Sequence, residues 1–183
     1  NSSLSLYSEP DIGYKLGGVY STGTGNRLST KTTYHFTPQA VGYSIRFVLN
    51  PDSYKYYLNI GESRSSRLPY IRAAAKRLNA LGYYNPSGSI SGYSDNQPAV
   101  GEETSYTEAL AEAVTKFQVM HDISNIGAIG SQTWSALFND TAKAMVSDTE
   151  YEQILTDYET RKVQREEAKV LVKELTPVAR SAK

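Results

Sequence analysis

Cysteine is absent from this 183-residue chain. Its absence excludes disulfides, thiolate metal sites and a cysteine nucleophile, while leaving the cellular compartment open. Histidine is scarce as well, with only His35 and His121. Two histidines with no matching acidic motif do not make a metal site, and none is expected. Neither zinc-hydrolase pattern, His-Glu-x-x-His or His-x-x-Glu-His, occurs, and no carboxylate pair stands in a catalytic context. No catalytic residue and no cofactor are therefore expected.

Charge of one sign is also lacking: 19 lysines and arginines face 19 aspartates and glutamates. With no basic field to hold a phosphate backbone, nucleic acid is not an expected partner. Gly23-Thr24-Gly25 is not followed by the Gly-Lys-Ser/Thr of a phosphate loop. No run of about 18 apolar residues exists, so no transmembrane segment is expected.

What is abundant is tyrosine, 15 against four phenylalanines and one tryptophan. A ring with a polar tip suits half-exposed sheet faces, interfaces and sugar contact. At 39% hydrophobic and 21% charged, the chain is expected to fold.

Three segments follow from patterning. Residues 1–66 form a β-rich N-terminal segment. Ile12 to Tyr20, Leu28 to Phe36, Val41 to Leu49 and Tyr54 to Ile60 are rich in β-branched and aromatic residues. Tyr43, Ile45, Phe47 and Leu49 share one face at period two. These predict a small antiparallel sheet or partial barrel that needs a neighbour to bury its face.

Residues 67–140 form a helical domain. Pro69 suits a first helical position. Ile71, Ala74, Ala75, Leu78 and Leu81 then make an apolar stripe, with Arg72, Lys76 and Arg77 outward and Gly82 as a left-handed stop. Residues 85–104 make a long polar connection of about twenty residues, a length often tied to function. Ser105 with Glu108 predicts a capping box for a helix whose apolar face is Ala109, Leu110, Ala113, Val114 and Phe117. Ser131 is placed to cap a short last helix carrying Trp134, Leu137 and Phe138.

Residues 141–183 predict a charged helix and tail. Ser147 with Glu150 opens a helix running to Leu175, ahead of Pro177. Its apolar positions, Tyr151, Ile154, Leu155 and Tyr158, then Ala168, Leu171, Val172 and Leu175, flank a charged middle. A sustained coiled coil is excluded, and docking of the two ends on another domain or subunit through residues 149–175 is expected.

The middle segment carries a resemblance. Leu78-x-x-Leu81-Gly82-Tyr83-Tyr84, then Ala113-Val114-x-x-Phe117-Gln118, then Gly127-x-x-Gly130-x-x-Thr133-Trp134-x-x-Leu137 resembles the peptidoglycan-binding domain family of the three-helix type. It covers about 70 of the 183 residues. The chain departs from the family pattern in having Thr107 for a glycine, Leu110 for a threonine, Asp122 for a glycine and Ile126 for an aspartate.

The whole is expected to be an α+β chain: patterning gives a small antiparallel β segment and a long C-terminal helix, and between them stands the three-helix peptidoglycan-binding-like bundle that the resemblance implies. It implies noncatalytic attachment to the bacterial cell wall, with peptidoglycan as partner and a periplasmic or otherwise exported location. The missing methionine at Asn1 fits removal of an export signal or a larger precursor. Leu78, Leu81, Val114, Phe117, Trp134 and Leu137 are expected in the core, with Gly82, Gly127 and Gly130 as backbone devices. Candidate wall contacts are Tyr83, Tyr84, Tyr93, Tyr106, Gln118 and Thr133, whose rings, amide and hydroxyls suit sugars and peptides. Two other functions stay open: an accessory part of a wall-cleaving or wall-crosslinking enzyme, and a structural subunit of an envelope machine or phage particle.

Overall fold

The computed structural model describes residues 4–36, 44–52, 54, 56–86 and 99–181. Nine elements follow in order, five strands and then four helices. Strands β1 (Leu4–Tyr7) and β4 (Thr33–Phe36) pair antiparallel as one sheet, with Leu4 opposite Phe36. The second sheet has the order β3-β2-β5, built from β2 (Tyr14–Ser21), β3 (Arg27–Ser29) and β5 (Ile45–Pro51), also antiparallel.

The predicted strand over Leu28–Phe36 is thus broken between β3 and β4, which belong to different sheets. Leu4–Tyr7 pairs as a strand with no signal beyond Leu4, Leu6 and Tyr7. The period-two face of β5 holds at Ile45 and Phe47 but fails at Leu49, which is 44% exposed. The facing strand is irregular at this point: β2 steps from Leu16 to Gly18 while β5 steps from Leu49 to Val48, which leaves Gly17 of β2 as the extra residue of a bulge. Tyr43 lies outside the described residues.

Helix α1 (Leu68–Ala80) buries Ile71, Ala74, Ala75 and Leu78. Its end is a Schellman motif: Gly82 N–H donates to Asn79 O and Tyr83 N–H to Leu78 O, with Gly82 left-handed at φ 86°. Helix α2 (Glu108–Met120) ends the same way, through Asp122 N–H to Val119 O and Ile123 N–H to Gln118 O. Here Asp122 itself takes the left-handed conformation, φ 53°. A short polar side chain tolerates that region, so aspartate serves where the family pattern has glycine.

Two predicted caps are corrected. Thr107, not Ser105, caps α2, its Oγ1 accepting from Leu110 N–H. Gly130 is the N-cap of α3 (Ser131–Leu137), with extended backbone and no side-chain cap.

The expected architecture of a three-helix bundle followed by a separate long helix is also corrected. The class is α+β, but the β part is five strands in two sheets, and the helical part is not a three-helix bundle. Helix α3 is only seven residues long, too short to present a full bundle face. It packs on α1 and β5, so its apolar side chains serve the N-terminal part as well. The interior is completed by extended chain: Leu58 and Ile129 exchange two backbone hydrogen bonds, and both are fully buried.

A fourth helix, α4 (Asp148–Ser181), packs its first three turns on α2 through buried Tyr151 and Tyr158. It continues past Pro177 instead of stopping before it. Its far end does not dock among the described residues: every position from Thr160 to Lys173 is exposed. The predicted core residues Leu78, Leu81, Val114, Phe117, Trp134 and Leu137 share one buried cluster with Leu58, Tyr106 and Tyr158.

Candidate functional site

Five of the six candidate wall contacts lie inside the protein; Tyr93 lies outside the described residues. Gln118 is 1% exposed, and its carboxamide is spent on the fold. Nε2 donates to Ala128 O at 2.8 Å and Thr133 Oγ1 at 3.0 Å, while Oε1 accepts from Gly127 N–H at 3.0 Å. Tyr106 donates its hydroxyl to Gly127 O at 2.7 Å, and Tyr83 donates to Lys143 O at 2.9 Å. Burial pushes the Tyr106, Tyr83 and Tyr84 hydroxyls above the usual phenol range, because the phenolate would lose its hydration. Thr133 and Tyr84 are buried too. Tyr106, Gln118 and Thr133 gather at the Gly127–Gly130 turn, while Tyr83 and Tyr84 follow the stop of α1 and line a small hollow of about 60 Å³ with Asn85 and Pro86.

Gly127 is a backbone device in the expected sense. It is left-handed at φ 66°, and a Cβ there would crowd Thr115 Oγ1 and Ala111 O. Gly130 has ordinary extended backbone.

The exposed chemistry gathers elsewhere, where the β-rich head meets α1. Tyr14 at the start of β2 sets its ring edge-on to Phe138, centroids 5.1 Å apart. Gly13 comes so close to the Phe138 ring that no side chain would fit, and its φ of 103° favours glycine. Tyr54 stacks on Trp134 at 4.3 Å and 12°, with Tyr70 tilted against both. Tyr56 extends this seam, with the Arg67 guanidinium 3.4 Å above its ring. Tyr14, Tyr54 and Tyr70 are half-buried, so each keeps an accessible edge. Burial raises the Tyr54 hydroxyl well above its ordinary range, so it stays a neutral phenol.

Beside this seam lies a cleft of about 570 Å³, within the usual range of small-ligand sites. Arg72, Lys76 and Arg77 from α1 line it, facing Asp11, Ile12 and Tyr14 of the head. A recess of about 220 Å³ adjoins it, sharing Asp11, Ile12 and Tyr14 and reaching Tyr54, Tyr70 and Trp134. One half of the site is therefore cationic and the other aromatic. Such a site can stack a sugar or apolar group while holding an anionic one.

Patterning placed Arg72, Lys76 and Arg77 correctly outside the helical interior, as a solvated face. The head that roofs this face is what sequence periodicity could not position. The available signal was the spacing 72, 76, 77, which puts three cations on one side of α1.

Among the described residues no group of three or more histidine, aspartate or glutamate side chains is placed to hold a metal. No helix among them is long and apolar enough to cross a membrane. No protein-family model, curated protein or solved structure matches this chain.

Proposed function

We propose that this chain is a noncatalytic peptidoglycan-binding unit of an exported or envelope assembly, and that the cleft between head and α1 holds the wall. The observation that carries this reading is the joining of half-buried tyrosines to three cations in one continuous cleft. Peptidoglycan combines the same two chemistries, pyranose rings that stack on aromatic faces and peptides that bear carboxylates. The ordered motifs from Leu78 to Leu137 add a family resemblance to cell-wall attachment domains. The charged groups lining the cleft and its recess are Arg72, Lys76 and Arg77 with the carboxylates Asp11 and Asp52, and aromatic rings stand beside them, a set that suits holding a ligand.

Co-sedimentation with purified sacculi tests the reading. The wild-type chain pellets with the wall, and Ala80→Trp, which fills the cleft from an exposed helical position, stays in the supernatant. Equal retention of both, or of neither, contradicts it.

A second reading, a structural subunit, is favoured by the exposed distal half of α4, with Val163 and Leu171 each more than half exposed. Light scattering of the full chain separates the two: a strict monomer at high concentration removes this support.

A further inference from the structure

We infer that Lys76, flanked by Arg72 and Arg77, receives a carboxylate of the wall's stem peptide in this cleft. The inference rests on the peptidoglycan reading above and names which part of that polymer the cationic half takes.

Arg72 and Arg77 are held in place by hydrogen bonds to backbone carbonyls. Arg72 Nε donates to Glu103 O at 2.9 Å, pinning the turn at Gly101–Glu103 onto α1. The buried Glu103 carboxylate accepts from Gly101 N–H at 3.0 and 3.1 Å, closing that turn on itself. Gly101 is left-handed at φ 92°, which favours glycine, and the end of the Lys76 side chain lies over it, where a Cβ would stand. On the other flank Arg77 donates from Nε to Leu137 O at 3.0 Å and from Nη2 to Asn139 O at 3.2 Å.

These bonds use one of the five donors of Arg72 and two of those of Arg77. All go to carbonyl oxygens, so no positive charge is cancelled by an ion pair. Lys76 joins no hydrogen bond or ion pair with a described residue; Glu103 is the carboxylate that feels its charge, from within the buried turn. Asp11 lines the same cleft and pairs with none of the three.

Three cations against Asp11 in the cleft wall and Glu103 in the turn behind leave the cationic half with a positive excess that suits an anion. The glycan strand is uncharged along its pyranose rings, whereas the stem peptide carries free carboxylates. A planar carboxylate also matches the donor geometry of a guanidinium fork. The aromatic recess next door would then lie against the sugar end of the same repeat. Phosphate shares the anionic chemistry, and the experiment separates the two.

The test is calorimetric titration of the full chain with a soluble stem pentapeptide bearing free carboxylates, with its fully amidated counterpart, and with inorganic phosphate. Sacculus retention is measured in parallel. The free acid is expected to bind, the amide and phosphate much more weakly, and Lys76→Gln to lose about tenfold in affinity for the free acid. Lys76→Gln should keep the wild-type circular dichroism, since Lys76 is exposed and makes no hydrogen bond or ion pair with a described residue. Equal binding of acid and amide, phosphate binding as tight as the peptide, or unchanged affinity in Lys76→Gln overturns the inference. Retention on sacculi without binding of the free acid overturns it while leaving wall attachment standing. Binding of the free acid without sacculus retention removes wall attachment and leaves a carboxylate site.

Discussion

Gln118 Nε2 donates to Thr133 Oγ1 at 3.0 Å, joining the last turn of α2 to the first turn of α3. The same amide bridges Gly127 N–H and Ala128 O, so one side chain satisfies both faces of the glycine turn. Replacing Gln118 by leucine would keep its bulk and leave a buried N–H and a buried carbonyl unpaired. The expected loss is about 2–4 kcal/mol in unfolding free energy, read by denaturant titration. A loss below about 0.5 kcal/mol would contradict the role given to this amide.

His121 is held as a neutral ring. Nε2 accepts from Lys143 N–H at 2.9 Å, so Nδ1 carries the proton and donates to Phe117 O at 2.9 Å. Burial, with the Lys143 charge adding to it, lowers its pKa against the opposing pull of the Phe117 carbonyl. A histidine lowered in the folded state stabilises the fold above its unfolded pKa of about 6.5 and loses that contribution as pH falls below it. Stability measured between pH 8 and pH 5 should decline toward acid, and the decline should be shallower in His121→Gln. An identical slope in the variant would contradict the assignment.

Glu103 behaves in the opposite sense. Burial raises its pKa, outweighing the Gly101 N–H and the charges of Arg72 and Lys76. A carboxyl raised in the folded state contributes most below its unfolded pKa of about 4.3 and loses that contribution as pH rises through the folded value. Glu103→Gln should therefore gain on the wild type in stability as pH is raised from 4 to 8. A constant difference between them across that range would refute it.

Helix α4 is anchored at one end only. Tyr158 donates to Ile123 O at 2.8 Å and accepts from Asn125 N–H at 3.1 Å. Tyr158→Phe should cost about 1–2 kcal/mol. Removing residues 166–183 should cost under about 1 kcal/mol, since the described side chains there are exposed and the Lys169–Glu166 pair is solvated. Thermal unfolding of both variants checks this, and a larger loss from the truncation than from Tyr158→Phe would contradict it.

How far the sequence could be read differs from element to element. The stripe of α1 and its stop at Gly82 were legible because helical period and a left-handed glycine are local signals. The equivalent stop at Asp122 was not, since aspartate takes that conformation only occasionally and Arg161 and Arg165 from α4 approach it from far along the chain. Tyr106, Gln118 and Thr133 looked like contact residues because their polar tips invite it. Tyr106 and Gln118 bond backbone groups of the Gly127–Gly130 turn and Thr133 accepts from Gln118 Nε2, partners that only the fold brings within reach. Tyr54 to Ile60 had strand composition, yet its described residues contribute a single bridge, from Leu58 to Ile129. The cleft itself joins Asp11 to Lys76 across more than sixty residues, a juxtaposition that periodicity cannot encode.

The most direct test of the central claim is amide chemical-shift mapping of the isotope-labelled full chain during titration with solubilised peptidoglycan fragments. Binding in the cleft predicts the largest shifts at Asp11–Tyr14, along the Arg72–Ala80 face of α1 and at Gly101. Shifts confined to the distal half of α4, or no shifts at all, would contradict it.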